Sequence, residues 1–140
     1  MMLIKLITGF IDFIVLSFPS IGCANTCPSV QEIKHGTWDR RFQVYDSDSG
    51  EKLSRSRLKD ILQAVDQFAL AEWSNEHHTG EVHCYYRDKH GSNLEAYFGS
   101  SHYQPDNTNK AWYAVTGYMH CAHHASDCVF KNHIVQAAKR

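Results

Sequence analysis

The densest chemistry in the sequence lies in the run His120-Cys121-Ala122-His123-His124-Ala125-Ser126-Asp127-Cys128, which gathers imidazoles, a carboxylate and two thiols. Imidazole and carboxylate suit zinc or copper, so His120, His123 and His124 are the candidate ligands of a metal site. The chain holds 10 histidines in all, and His77-His78 with His83 form a second concentration. A metal centre needs three or four ligands converging at about 2.0–2.3 Å. Adjacency along a strand works against convergence, because neighbouring side chains point to opposite faces. The spacing contains neither Cys-x-x-Cys nor His-Glu-x-x-His, and oxidation of Cys121 and Cys128 would remove both thiolates. The expectation is no resident cofactor, with zinc or copper at the cluster as the alternative.

Other catalytic patterns are missing. No Gly-x-Ser-x-Gly elbow occurs, and no glycine-rich phosphate loop. Gly91-Ser92 and Gly99-Ser100-Ser101-His102 fall in turn-like segments. The acidic pairs Asp46 with Asp48 and Glu72 with Glu76 read as solvated charges on a loop and on a helix face. A binding role rests instead on aromatic residues. Tyr85, Tyr86, Tyr97, Phe98, Tyr103, Trp112, Tyr113 and Tyr118 fall on predicted strands, where about half face solvent. Tyrosine and tryptophan rings offer contact area with a polar handle, which suits a protein partner or a glycan.

The elements that position these residues follow from periodicity. Residues 27–50 read as extended, with Phe42 and Val44 alternating with Gln43 and Tyr45, before a polar turn over 46–50. Leu58, Ile61, Leu62, Val65, Phe68, Ala69 and Trp73 recur at helical steps and predict one amphipathic helix over 56–76. Segments 82–87 and 94–98, separated by Asp88-Lys89-His90-Gly91-Ser92-Asn93, predict a hairpin. A polar loop over 99–109, a third strand over 111–121 with Gly117 as a bulge or close contact, and a short edge strand at 128–130 complete the pattern. A basic tail over 131–140 reads as a frayed helix. The fold class is α+β: one amphipathic helix packed on a small antiparallel sheet, stapled by disulfides.

The N-terminus reads as a targeting segment. Lys5 precedes an apolar run from Leu6 to Phe18, which Pro19, Ser20 and Gly22 interrupt ahead of Ala24, in the order of a secretory signal. Asp12 within that run is out of character. The expected division is a signal peptide over 1–24 and a single secreted domain over 25–140, with a periplasmic or extracellular destination. Five cysteines become four once Cys23 is removed, or once Cys23 is lipidated through Ser20-Ile21-Gly22-Cys23. Lipidation is the one route to membrane attachment. Four cysteines in a small exported domain read as two disulfides. Three pairings of Cys27, Cys84, Cys121 and Cys128 are possible, and the leaning is to Cys121–Cys128 with Cys27–Cys84. A net charge of -1 gives no field for nucleic acid.

The order of landmarks resembles a family of small secreted proteins of unknown function from Gram-negative bacteria. The matching residues are Cys27-Pro28-Ser29-Val30 with Ile33, then Trp38, Phe68 and Ala69, Cys84-Tyr85-Tyr86, Cys121, and Cys128-Val129-Phe130. The likeness spans residues 27–130. It implies an exported bacterial protein with structural cysteines and implies no activity. The histidines lie outside that pattern. The expectation is an exported, non-enzymatic binding domain with a protein or glycan ligand. The alternative is a periplasmic metal-binding protein using His120, His123 and His124.

Overall fold

The computed structural model describes residues 25–74 and 80–133. The predicted signal segment and the basic tail beyond His133 lie outside the described residues. So does Cys23, as do His77 and His78.

The extended reading of 27–50 is corrected at its start. Val30–His35 is a helix, α1, closed at its N-terminus by a reciprocal cap. The Ser29 hydroxyl accepts from the Glu32 backbone, and the Glu32 carboxylate accepts from the Ser29 backbone. Two otherwise orphaned donors are satisfied this way, which sustains a helix of only 6 residues. Gly36, at φ 67°, ends it in the left-handed region that glycine enters without strain. Ile33 is the residue that α1 buries. The alternation around Phe42 and Val44 does become a strand, β1 (Gln43–Asp46).

A second correction concerns 56–76. Helix α2 spans only Arg55–Ala64, and Gln67–Ser74 is a strand, β2. Val65 leaves helical geometry at ψ 124°, and the Asp66 amide turns to the carbonyl of Arg87. The apolar period continues past this break, but β2 gains a ladder on each side, and tertiary pairing overrides weak helical propensity.

β2 is central in a six-stranded sheet. Its neighbours are β3 (Val82–Arg87) and β7 (Tyr118–Cys121). β4 (Asn93–Ser100) and β6 (Tyr113–Val115) complete the order β1-β4-β3-β2-β7-β6, with every pairing antiparallel. The predicted 82–98 hairpin is thus β3–β4. The single strand expected over 111–121 is two strands joined at Thr116-Gly117, where Gly117 adopts φ 77° as a turn residue and not as a bulge. β5 (Tyr103–Pro105) pairs with β8 (Phe130–Asn132) in a separate two-stranded sheet, so part of the expected 99–109 loop is strand.

Alternation sends Val44, Ala71, Trp73, Val82, Cys84, Tyr86, Ala96, Phe98 and Cys121 to one face, where they are buried with Ile33, Trp38 and Val65. Phe42, Tyr103, Trp112 and Phe130 pack as a second aromatic layer that joins β5 and β8 to this core. The buried Tyr86 hydroxyl donates to the Pro28 carbonyl, and the Trp38 indole donates to the Phe42 carbonyl, so both polar handles are satisfied. Disulfides Cys27–Cys84 and Cys121–Cys128 staple the chain. The architecture is α+β, a stapled antiparallel sheet with one longer helix. No helix among the described residues is long and apolar enough to cross a membrane.

Asp39 ties the segment after α1 to this core. Partial burial opposes its ionisation, but hydrogen bonds from Arg41 and from the Tyr103 hydroxyl outweigh burial and hold the carboxyl at about 2. A carboxyl depressed in the folded state adds stability that is fully present above its unfolded value of about 3.9 and is lost as pH falls toward 2. Acid titration of unfolding stability should therefore show a decline across roughly pH 4 to 2. Asp39→Asn should flatten that decline, and an unchanged slope would show that Asp39 does not carry it.

Candidate functional site

The other face of the sheet carries the candidate site. Register aligns Tyr113, His120, Glu72, His83 and Gly99 in one row across β6, β7, β2, β3 and β4. A second row runs Tyr45, Tyr97, Tyr85 and Leu70. The correction to β2 matters most here. Glu72, expected on a solvated helix face, lies at mid-strand between two imidazoles.

Glu72 is the hub. Its Oε2 accepts from His120 Nε2 at 2.9 Å, and its Oε1 lies 3.5 Å from the Tyr85 hydroxyl. Tyr85 also stands 3.4 Å from His83 Nδ1, while His83 Nε2 donates to Glu81 at 3.1 Å. The result is a polar chain from His120 through Glu72, Tyr85 and His83 to Glu81. Burial raises the Tyr85 pKa strongly, and the Glu72 charge adds to the effect. Tyr85 therefore stays a phenol, able to donate a hydrogen bond and unsuited to act as a phenolate base. Tyr97 is raised in the same way, first by burial and then by Glu81.

The rings stand upright and support one another. Tyr97 is stacked between Tyr45 at 5.4 Å and His83 at 4.2 Å, so it offers its edge and hydroxyl outward. Gly99 makes this possible. A Cβ there would sit 3.1 Å from ring carbons of both Tyr45 and Tyr97. Gly99→Val should destabilise the fold by about 1–3 kcal/mol through overpacking and disturb the tyrosine stack. Thermal unfolding with near-ultraviolet circular dichroism reads both effects, and a near-wild-type spectrum would count against this role for Gly99.

Around the hub, Asp48, Ser74, Glu81, Tyr97 and Tyr118 help to enclose a cavity of about 410 Å³, with the turn after β1 forming one wall. Among the described residues the lining contains three carboxylates and no lysine or arginine. That turn is built by Asp46, whose carboxylate accepts from the Asp48 and Ser49 amides.

The expected histidine cluster is divided by the end of β7. His120 points to the outer face and bonds Glu72, whereas His123 and His124 are exposed in the loop beyond Cys121. No three His, Cys, Asp or Glu side chains among the described residues come together as a metal-holding group. Cys121 and Cys128 are joined to each other, which removes both as thiolates.

Of the eight aromatics expected on the sheet, Tyr85, Tyr97, Tyr113 and Tyr118 belong to the outer side. Tyr86, Phe98, Tyr103 and Trp112 are buried. Sequence reasoning missed Glu72 and Tyr45. The alternation Ala71, Glu72, Trp73, Ser74 was the signal that could have placed Glu72 on a strand.

Fold and site together define a small disulfide-stapled α+β domain with a polar, tyrosine-rich face. Compared with family models, curated proteins and solved structures, the chain matches none.

Proposed function

We propose that the chain is an exported, non-enzymatic binding domain that holds a glycan on the outer face of its sheet. The observation carrying this reading is Glu72, a carboxylate fixed at the centre of a tyrosine-walled cavity by His120 and Tyr85. Sugar hydroxyls donate to carboxylates and accept from phenols and serine hydroxyls, and this lining supplies all three. A few fixed polar groups in a preformed concavity are what orient a small ligand. Phenols held neutral by burial support binding over proton transfer. Export is supported by two disulfides, which persist in oxidising compartments, and by the apolar run ahead of Ala24.

A glycan array probed with wild type and Glu72→Gln tests the proposal. Wild type should retain a defined set of glycans, and Glu72→Gln should lose them with little change in melting temperature. Retention of nothing by wild type, or equal retention by the variant, would overturn it.

A protein partner is the second reading, favoured by β6. This three-residue strand ends the sheet, and Tyr113 and Val115 are 46% and 40% exposed. Among the described residues its outer edge has no strand partner, and an edge of this kind can template strand addition.

A further inference from the structure

We propose that the groove between α1 and α2 binds a fatty acid, with its carboxylate met by Lys34, Arg55 and Lys59 and its chain laid over Leu58 and Leu62. This site is separate from the outer face of the sheet. The groove is open to solvent and spans about 480 Å³, and those five residues with Gln63 form its lining. That volume falls within the roughly 300–1,000 Å³ usual for small-molecule sites.

Charge and apolarity are combined in an unusual way here. Arg55, Leu58, Lys59 and Leu62 recur at three- and four-residue steps, so they share one face of α2. Lys34 comes from the last turn of α1. Three cations therefore rim a leucine floor, with no carboxylate among the described lining residues. Among the described residues none of the three is in an ion pair, whereas Arg57, on another face of the same helix, is paired to Asp46.

The first turn of α2 also contains no acidic residue, although the positive end of a helix favours carboxylates there. Lysine stems covering leucine would account for one cation above this floor. They do not account for three like charges, none of them ion-paired among the described residues, around one groove. An anion resolves the repulsion, and an acyl chain covers the leucines. A small inorganic anion would leave the floor bare, and a neutral lipid would leave the cations unmet.

Isothermal titration calorimetry with laurate, held below its micelle concentration, tests this on the intact domain. Wild type should bind one laurate saturably, and acetate should not bind. The double variant Lys34→Gln, Lys59→Gln alters exposed side chains and should weaken laurate about tenfold or more, a loss of roughly 1.4 kcal/mol. Glu72→Gln should bind laurate as wild type does, which separates this groove from the glycan site. Four results would each overturn the proposal: no saturable laurate binding, equal binding by the double variant, acetate binding as tight as laurate, or association with anionic vesicles but not with monomeric laurate.

Discussion

Replacing Cys27 and Cys84 together by alanine is expected to lower unfolding stability by about 4 kcal/mol, more than the same change at Cys121 and Cys128. The two bridges close loops of very different length, with sequence separations of 57 and 7. Cross-linking removes loop-closure entropy from the unfolded chain, and the effect grows with the logarithm of loop size. The long loop corresponds to about 4 kcal/mol and the short one to about 2.5 kcal/mol at 25 °C. Structure adds in the same direction. Cys27 lies two residues before the cap of α1, and Cys84 lies in the interior strand β3. Losing that bridge frees the start of the described domain from its core. Urea unfolding of both double variants checks the order. A larger loss at Cys121 and Cys128 would show that chain entropy does not govern the stapling.

Phe98→Ala should cost about 3–5 kcal/mol, the range for emptying a buried aromatic site. Phe98 is 1% exposed and meets Trp38 and Tyr86 edge to face at 5.5 and 5.3 Å. It also lies in register between Val44 of β1 and Cys84 of β3. The cavity would thus open where helix-side and sheet-side layers meet, with large rings on either side that cannot collapse into it. Tyr97→Ala, one residue away on the opposite face, should cost less, because Tyr97 is only half-buried. Chemical denaturation of the pair checks both the magnitude and the alternation. A smaller loss at Phe98 than at Tyr97 would contradict the assignment of faces.

How much was legible in the sequence depends on where each signal resides. β3 and β4 could be read because both the turn cluster and the strand alternation are local. The cap at Ser29 and Glu32 is equally local, yet the pattern of the segment favours an extended chain, because six residues with one buried side chain leave almost no helical period. The longer error, over 65–74, had the opposite cause. Apolar residues at 58, 61, 62, 65, 68 and 69 fit a helix in isolation, and only the edges offered by β3 and β7 turn the second half into a strand. Glu72 went with that error from a site hub to a surface charge. The histidines show the limit of adjacency: proximity in sequence offers a cluster only as the alternative reading, and the end of β7 sends His120 one way and leaves His123 and His124 in the loop.

By itself the sequence determined the α+β class and the β3–β4 hairpin, since these depend on composition and on contacts a few residues apart. Tertiary structure alone decided that α2 stops at Ala64, that Glu72 stands between His83 and His120, and that three cations share a groove. Each of those depends on residues far apart in the chain. Backbone hydrogen bonds across the sheet, worth more than the slight preference of a short segment for helix, chose which of them meet.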